Sequence, residues 1–251
     1  MGLLDFKFKL QYWPILSSSW LSFTYFSTYC IAVYKQDVSP IFPYISDTAA
    51  KPWESCYFAQ MHNIGALFTL ICMIIRHKLV ELYFNEGQIS LRLRKVNKFS
   101  LIFGFLGCLG MSLVANFQET SEIFTHLLGA FLAFFCTSIY FQIQTYISWK
   151  TDISLEVKFV RLILSALLFP FYTSTTIGAM VAVLKFKGTN VLKWGIEDGG
   201  YYSHLVSTFS EWILVGLMMI YTFSCSDEFK RIKFEGLNFS LKKKKSDEII
   251  N

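Results

Sequence analysis

Apolar residues along this chain collect into long runs that are apolar on every face, and short polar segments separate them. A strand buried on one face alternates apolar and polar positions, and an amphipathic helix repeats its apolar positions every three or four residues. The run LIFGFLGCLGMSLVA, residues 101–115, does neither. A helix that crosses a hydrocarbon core needs about 20 such residues. Six runs approach or exceed that length: Trp13–Tyr34, Cys56–Ile75, Phe99–Ala115, Ile123–Ile147, Phe159–Leu184 and Leu205–Ser224. A membrane β-barrel would show roughly ten-residue alternating segments instead. The pattern therefore predicts an all-α, polytopic membrane protein: a bundle of six transmembrane helices over residues 1–229, followed by a basic tail over 230–251.

Composition agrees, with 53% hydrophobic and 16% charged residues against about 45–50% and 25% in soluble domains. Charge adds an orientation. With the N-terminus in the cytoplasm, 18 Lys and Arg fall on the cytoplasmic side and 5 on the other, counting Arg76 and Arg161 among the first group. That asymmetry predicts both termini inside. The net charge of +5 then reads as topology, and the tail LKKKKSDEIIN as a contact with anionic lipid of the bilayer, not with nucleic acid. The first run lacks a cleavage site and stays as a span, and Phe6 spoils the myristoylation pattern. The sequon at Asn238 falls in the tail and is expected to be unmodified.

The six cysteines have no CxxC spacing, so no zinc site or disulfide framework is predicted. A pairing of Cys30 with Cys56 at the outer ends of spans one and two stays open, and Cys225 is a palmitoylation candidate. Catalytic signatures such as G-x-S-x-G, H-E-x-x-H or a P-loop do not occur. No catalytic, cofactor or metal site is predicted. Gly104, Gly107 and Gly110 lack phosphate-loop spacing and read as a close-packing helix face.

Three histidines hold matching places. His62 opens HNIGALFTL, His126 opens HLLGAFLAF and His204 opens HLVSTFSEW, which suggests one helical hairpin used three times. Such repeats form sites in transporters, but small residues after each His also serve close packing. Glu211 is the strongest intramembrane acid and lies seven residues after His204, on the same helix face. Glu119 and Glu122 belong to the short loop NFQETSE, which weakens their claim. The polar stretch FPYISDTAAKPWES, Phe42–Ser55, links spans one and two. Pro43 and Pro52 stiffen it, Asp47 and Thr48 suit turns, and Pro52 with Glu54 suits the first turn of a helix. It reads either as a structured cap or as a recognition surface with Tyr44, Ser46 and Asp47 as exposed contacts.

FPYISDT, GCLGMSLVANFQET, HLLGAFLAF and HLVSTFSEW occur in the order found in the DNA-damage-regulated autophagy modulator (DRAM) family, which the chain resembles from about Trp13 to Phe229. The resemblance implies a six-span lysosomal protein that modulates autophagy and, in some members, cell death. It also implies kinship with GPI-anchor remodelling proteins and with regulators of plasma-membrane lipid. Ala49 and Ala50 stand where the family continues with Gly, and KPWE replaces a Pro-Glu pair, which marks a divergent member. The leading expectation is a non-enzymatic regulator that interacts with lipids or with membrane and autophagy proteins. The alternatives are a proton-coupled or pH-gated transporter, motivated by His62, His126, His204 and Glu211, and a lipid or GPI-anchor remodelling factor.

Overall fold

A computed structural model describes residues 9–234, and the regular structure among them is helical throughout. The major helices are α1 (Tyr12–Tyr34), α2 (Pro52–Asn85), α3 (Leu91–Asn116), α4 (Ile123–Phe131), α5 (Thr137–Trp149), α6 (Leu155–Lys185) and α7 (Tyr201–Phe223), followed by the short α8 (Ser226–Phe229). A π-helical segment, Leu132–Cys136, joins α4 to α5 into one span. Five spans combine the length and apolar composition needed to cross a membrane. The sixth, α1, has 23 residues, but its Ser and Thr side chains dilute its hydropathy. Together they make a polytopic helical membrane protein. The basic tail beyond residue 234 and Asn238 lie outside the described residues.

Local chemistry sets the helix ends. Pro52 stands at N1 of α2 with Glu54 in the first turn, where an absent N–H is harmless and an acid meets the positive end of the helix dipole. Ser90 and Ser154 cap α3 and α6 by accepting the N–H groups of Leu93 and Val157. Helix α2 continues ten residues past Ile75 because RHKLVELYFN contains no breaker and buries Leu79, Val80 and Tyr83 at helical spacing. Such amphipathic stretches dilute a hydropathy window without interrupting a helix.

The interior mixes hydrophobic clusters with many buried polar side chains, and the outer surface is apolar. Ser17, Thr24, Thr28, Ser100, Ser138 and Ser207 are buried, whereas Phe23, Phe99, Ile102, Leu127 and Ile163 face outward. In lipid this ordering is favourable, since small hydroxyl residues permit close helix approach and find partners across it. Gly104, Gly107 and Gly110 serve the same end: a Cβ at these positions would collide with Met73, Thr137 and the backbone of Ala133 respectively. Leu10 and Ile232 pack on one cluster around Leu79, Ile147 and Phe229, so both ends of the described chain lie at the same end of the bundle.

At that end the structure corrects the charge count. Arg76 and Arg161 are not loop cations; they are only 2% and 0% exposed and share Glu228. Arg76 donates to Glu228 Oε1 at 2.7 Å, to Gln144 Oε1 at 3.1 Å and to Ser148 Oγ at 3.2 Å. Arg161 donates to Glu228 Oε2, to Ser148 Oγ at 2.8 Å and to Ser224 Oγ at 3.0 Å. Gln144 extends the network by donating to Asn97 and Ser100 on α3. Setting both arginines aside leaves 16 Lys and Arg against 5, so the bias keeps its sign. Cys225 is also corrected: it is buried and accepts an N–H from Arg161, which removes it as a lipidation site. Cys30 and Cys56 are exposed free thiols.

Breaking a buried charge pair strands its partner, at a cost of about 3–5 kcal/mol. Glu228→Gln should therefore lower thermal stability in detergent by that order. Asp227→Asn, which removes the exposed pair with Lys230, should change it by about 0.5 kcal/mol or less. Equal shifts in the two variants would refute the network's role.

Candidate functional site

The segment between α1 and α2 folds down into the opposite end of the bundle. Its backbone polar groups are matched by side chains from distant helices, as burial demands. Trp212 Nε1 donates to Pro43 O at 3.0 Å, and the Ile45 N–H donates to Glu211 Oε2 at 3.0 Å. Tyr44 OH donates to Ser207 Oγ at 2.7 Å, and Ser46 Oγ donates to Glu119 Oε2 at 3.3 Å. Phe42 precedes this stretch with φ of 39° and stacks on Phe209 at 3.9 Å. A bulky residue at positive φ is strained, and the packing around it holds it there.

Of the two readings of this loop, the structured cap describes it. Tyr44 and Ser46 are half-buried and Asp47 is 3% exposed, so the three point into the bundle and do not form an exposed surface. Asp47 Oδ2 accepts the Tyr44 N–H at 3.2 Å, and Thr48 Oγ1 donates to Ile45 O at 2.6 Å. Both side chains thus close a turn by reaching back along the chain. Glu54 is buried against Lys35, 2.9 Å away, which clamps the start of α2 to the end of α1.

Beneath the loop is a cavity of ≈ 90 Å³, large enough for several waters. Its polar lining includes Tyr25, Ser46, His62, His126 and Glu211, and its apolar lining includes Leu21, Phe58, Phe134 and Met218. The π-helical segment forms part of the wall through Ala133 and Phe134, and such segments are frequent at functional sites. Tyr25 OH lies 3.1 Å from His62 Nε2, and His126 Nδ1 lies 2.7 Å from Phe117 O, which makes Nδ1 the protonated nitrogen of His126.

The three repeated histidines do not share one setting. His62 and His126 line the cavity. His204 instead stacks on Trp194 at 4.4 Å and meets the edge of Tyr44 at 5.1 Å. The small residues of the repeat do pack closely, for a Cβ at Gly65 or Gly129 would strike Leu21 or Leu113. Glu211 is buried at the cavity and bonded to the loop. Glu119 gains importance over its sequence rank, since it accepts from Ser46 and lies 3.9 Å from His126 Nε2. Tyr25 was not singled out by sequence; only its recurrence in a Ser/Thr/Tyr-rich first span could have marked it. Among the described residues no group of three or more His, Cys, Asp or Glu side chains has the geometry to hold a metal ion.

Burial, followed by the charge of Glu119 beside it, holds the Asp47 carboxyl well above the usual carboxylate range. The site is thus a small, mostly apolar cavity with a few convergent polar groups. Its roof is a loop gathered around three carboxyl groups.

These features belong to a class of integral membrane proteins built on six packed spans. Residues 9–232 match the family described as the Frag1/DRAM/Sfk1/Cwh43P N-terminal domain, and the chain belongs to this family. It is 35% identical to "DNA damage-regulated autophagy modulator protein 2" of Mus musculus, over 82% of this chain and 79% of the relative. It is 32% identical to "DNA damage-regulated autophagy modulator protein 1" of the same species, over 92% and 95%. A match to "Modulator of macroautophagy TMEM150B-B" of Xenopus laevis is 35% identical over 54% and 57%. No solved structure matches.

The folded loop retains a proton on Asp47 that the unfolded loop releases near pH 4. The stability this confers is complete below the unfolded value and is lost as pH rises through the raised folded value. Amides of residues 40–50 should therefore exchange hydrogen faster at pH 7.5 than at pH 4.5, after correction for intrinsic rates. Asp47→Asn should flatten that dependence, and an undiminished slope in the variant would show that another group is responsible.

Proposed function

We propose that the protein modulates autophagy from the lysosomal membrane, with both termini in the cytoplasm, and that it works by binding proteins or lipids and not by catalysis. The observation that carries this reading is the latched loop above the cavity. In the expected orientation it faces the lumen, and Asp47 carries a carboxyl whose raised proton affinity suits an acidic compartment. The names of the relatives that match over most of the chain support the autophagy role.

A binding role is favoured over catalysis by how the ionisable groups are used. Glu211 holds the Ile45 N–H, Asp47 holds the Tyr44 N–H and His126 holds Phe117 O. A general acid or base must be free to meet its substrate, whereas Asp47 and His126 are engaged by the backbone and Glu211 gives one carboxyl oxygen to the loop.

Cells depleted of the protein and then starved should show reduced autophagic flux. The wild-type chain should restore it, and Glu211→Ala, which unlatches the loop, should reach the membrane but restore flux poorly. Normal flux after depletion would overturn the proposal. Proton-driven solute flux through reconstituted vesicles would assign transport in its place.

A further inference from the structure

A second space lies on the outer side of the helices that line the cavity. A groove of ≈ 390 Å³ runs along the outward face between α1 and α7. Ser18, Tyr25, Val215 and Met219 line both the groove and the cavity, so side chains and not a helix separate the two spaces. Phe26, Ile220 and Phe223 on the groove are exposed to the surroundings that, in a membrane, are lipid. A Cβ added at Gly216, also on the groove, would meet nothing within 4 Å. Met219 stands at the junction, packed against the cluster of Leu21, Tyr25 and Val215, with Ser18 Oγ donating to its carbonyl at 2.9 Å and Ser22 Oγ to its sulfur. An unbranched thioether adapts its shape easily, which suits a gate between groove and cavity.

The inner end of this route is polar in a specific way. His62 is 5% exposed and lines the cavity, and its Nδ1 finds no hydrogen-bond partner among the described residues. A buried polar atom left unpaired is costly. Glu211 lies on the same cavity with one carboxyl oxygen given to Ile45. An imidazole nitrogen and a carboxyl on the lining of one cavity favour a small group that can both donate and accept, as a hydroxyl does. A phosphate or carboxylate head would have to bring its charge out of water into a buried, mostly apolar space, at a high desolvation cost. His62 and Glu211 lie near the loop end of the bundle and the groove extends down α7 to Phe223. A lipid held with its head at the loop end and its tail along the groove would keep the direction it has in the adjoining leaflet.

We propose that the groove between α1 and α7 is a lateral entrance through which a neutral, hydroxyl-headed membrane lipid enters the cavity, placing its hydroxyl at His62 and Glu211 and its tail along Gly216 and Met219. This deepens the binding reading above by naming the ligand class, and it rests on that reading. Sterols and ceramides both carry the required head, and separate probes distinguish them.

The full chain would be reconstituted in phosphatidylcholine vesicles with a trace of photoactivatable cholesterol, ceramide or phosphatidylcholine, irradiated, and the labelled peptides mapped. One or both hydroxyl-headed probes should label residues 18–26 and 212–223 preferentially, while the phosphatidylcholine probe labels all lipid-facing helices evenly. Gly216→Trp fills open space and should leave the melting temperature unchanged while lowering that labelling by about tenfold, equivalent to about 1.4 kcal/mol of affinity. Leu127→Trp, at an exposed position on α4, should leave it unchanged. Independently of any variant, excess unlabelled lipid of the same class should compete. Even labelling by all three probes, or labelling that survives both Gly216→Trp and competition, would overturn the proposal. Preferential labelling together with normal flux in depleted cells would leave the ligand site standing and remove only the autophagy role.

Discussion

Inside a bilayer a polar group cannot borrow a partner from solvent, so each one must be matched by the protein itself. The architecture depends on this requirement. At the end that carries both termini of the described chain, Glu228 stands between Arg76 and Arg161, and Gln144, Ser148, Asn97 and Ser100 take up remaining donors and acceptors. Those residues come from α2, α3, α5, α6 and α8, so satisfying one carboxylate fixes the relative placement of five helices. At the opposite end the same requirement is met by a loop. Its buried backbone N–H and C=O groups find their partners in Glu211 and Trp212.

Close packing between these ends follows from small residues. Gly107 and Gly110 let α3 approach Thr137 and Ala133 closely, and the π-helical segment sits at that contact. The hydroxyls of Ser17 and Thr69, 2.9 Å apart, join α1 to α2 near the cavity. Many large apolar side chains also face outward, which in lipid carries no penalty.

The spans were legible in the sequence because a run apolar on every face has few other uses. Their ends were less so, since RHKLVELYFN is helical but amphipathic and falls below any apolar threshold. The arginines were misread for a related reason: a count of charges sees Arg76 and Arg161 but not Glu228, which lies 152 positions from the first and 67 from the second. The loop shows the same limit. PYISD is polar and proline-bounded, as exposed turns are, and what buries it is Glu211, 166 residues away. The histidine repeat marked real points of close packing, but the settings of the rings depend on what each hairpin meets, so His204 parts from His62 and His126.

The bond from Ile45 to Glu211 has a consequence for how the two faces of the site communicate. Glu211 offers its lone pairs to the loop above and to the cavity below, so the two draw on the same acceptor. A group that engages Glu211 from the cavity must strengthen or weaken its hold on the loop. By thermodynamic reciprocity, whatever fixes or frees the loop changes the cavity's affinity by the same factor. One buried carboxyl thereby acts as the point of exchange between the loop and the cavity beneath it.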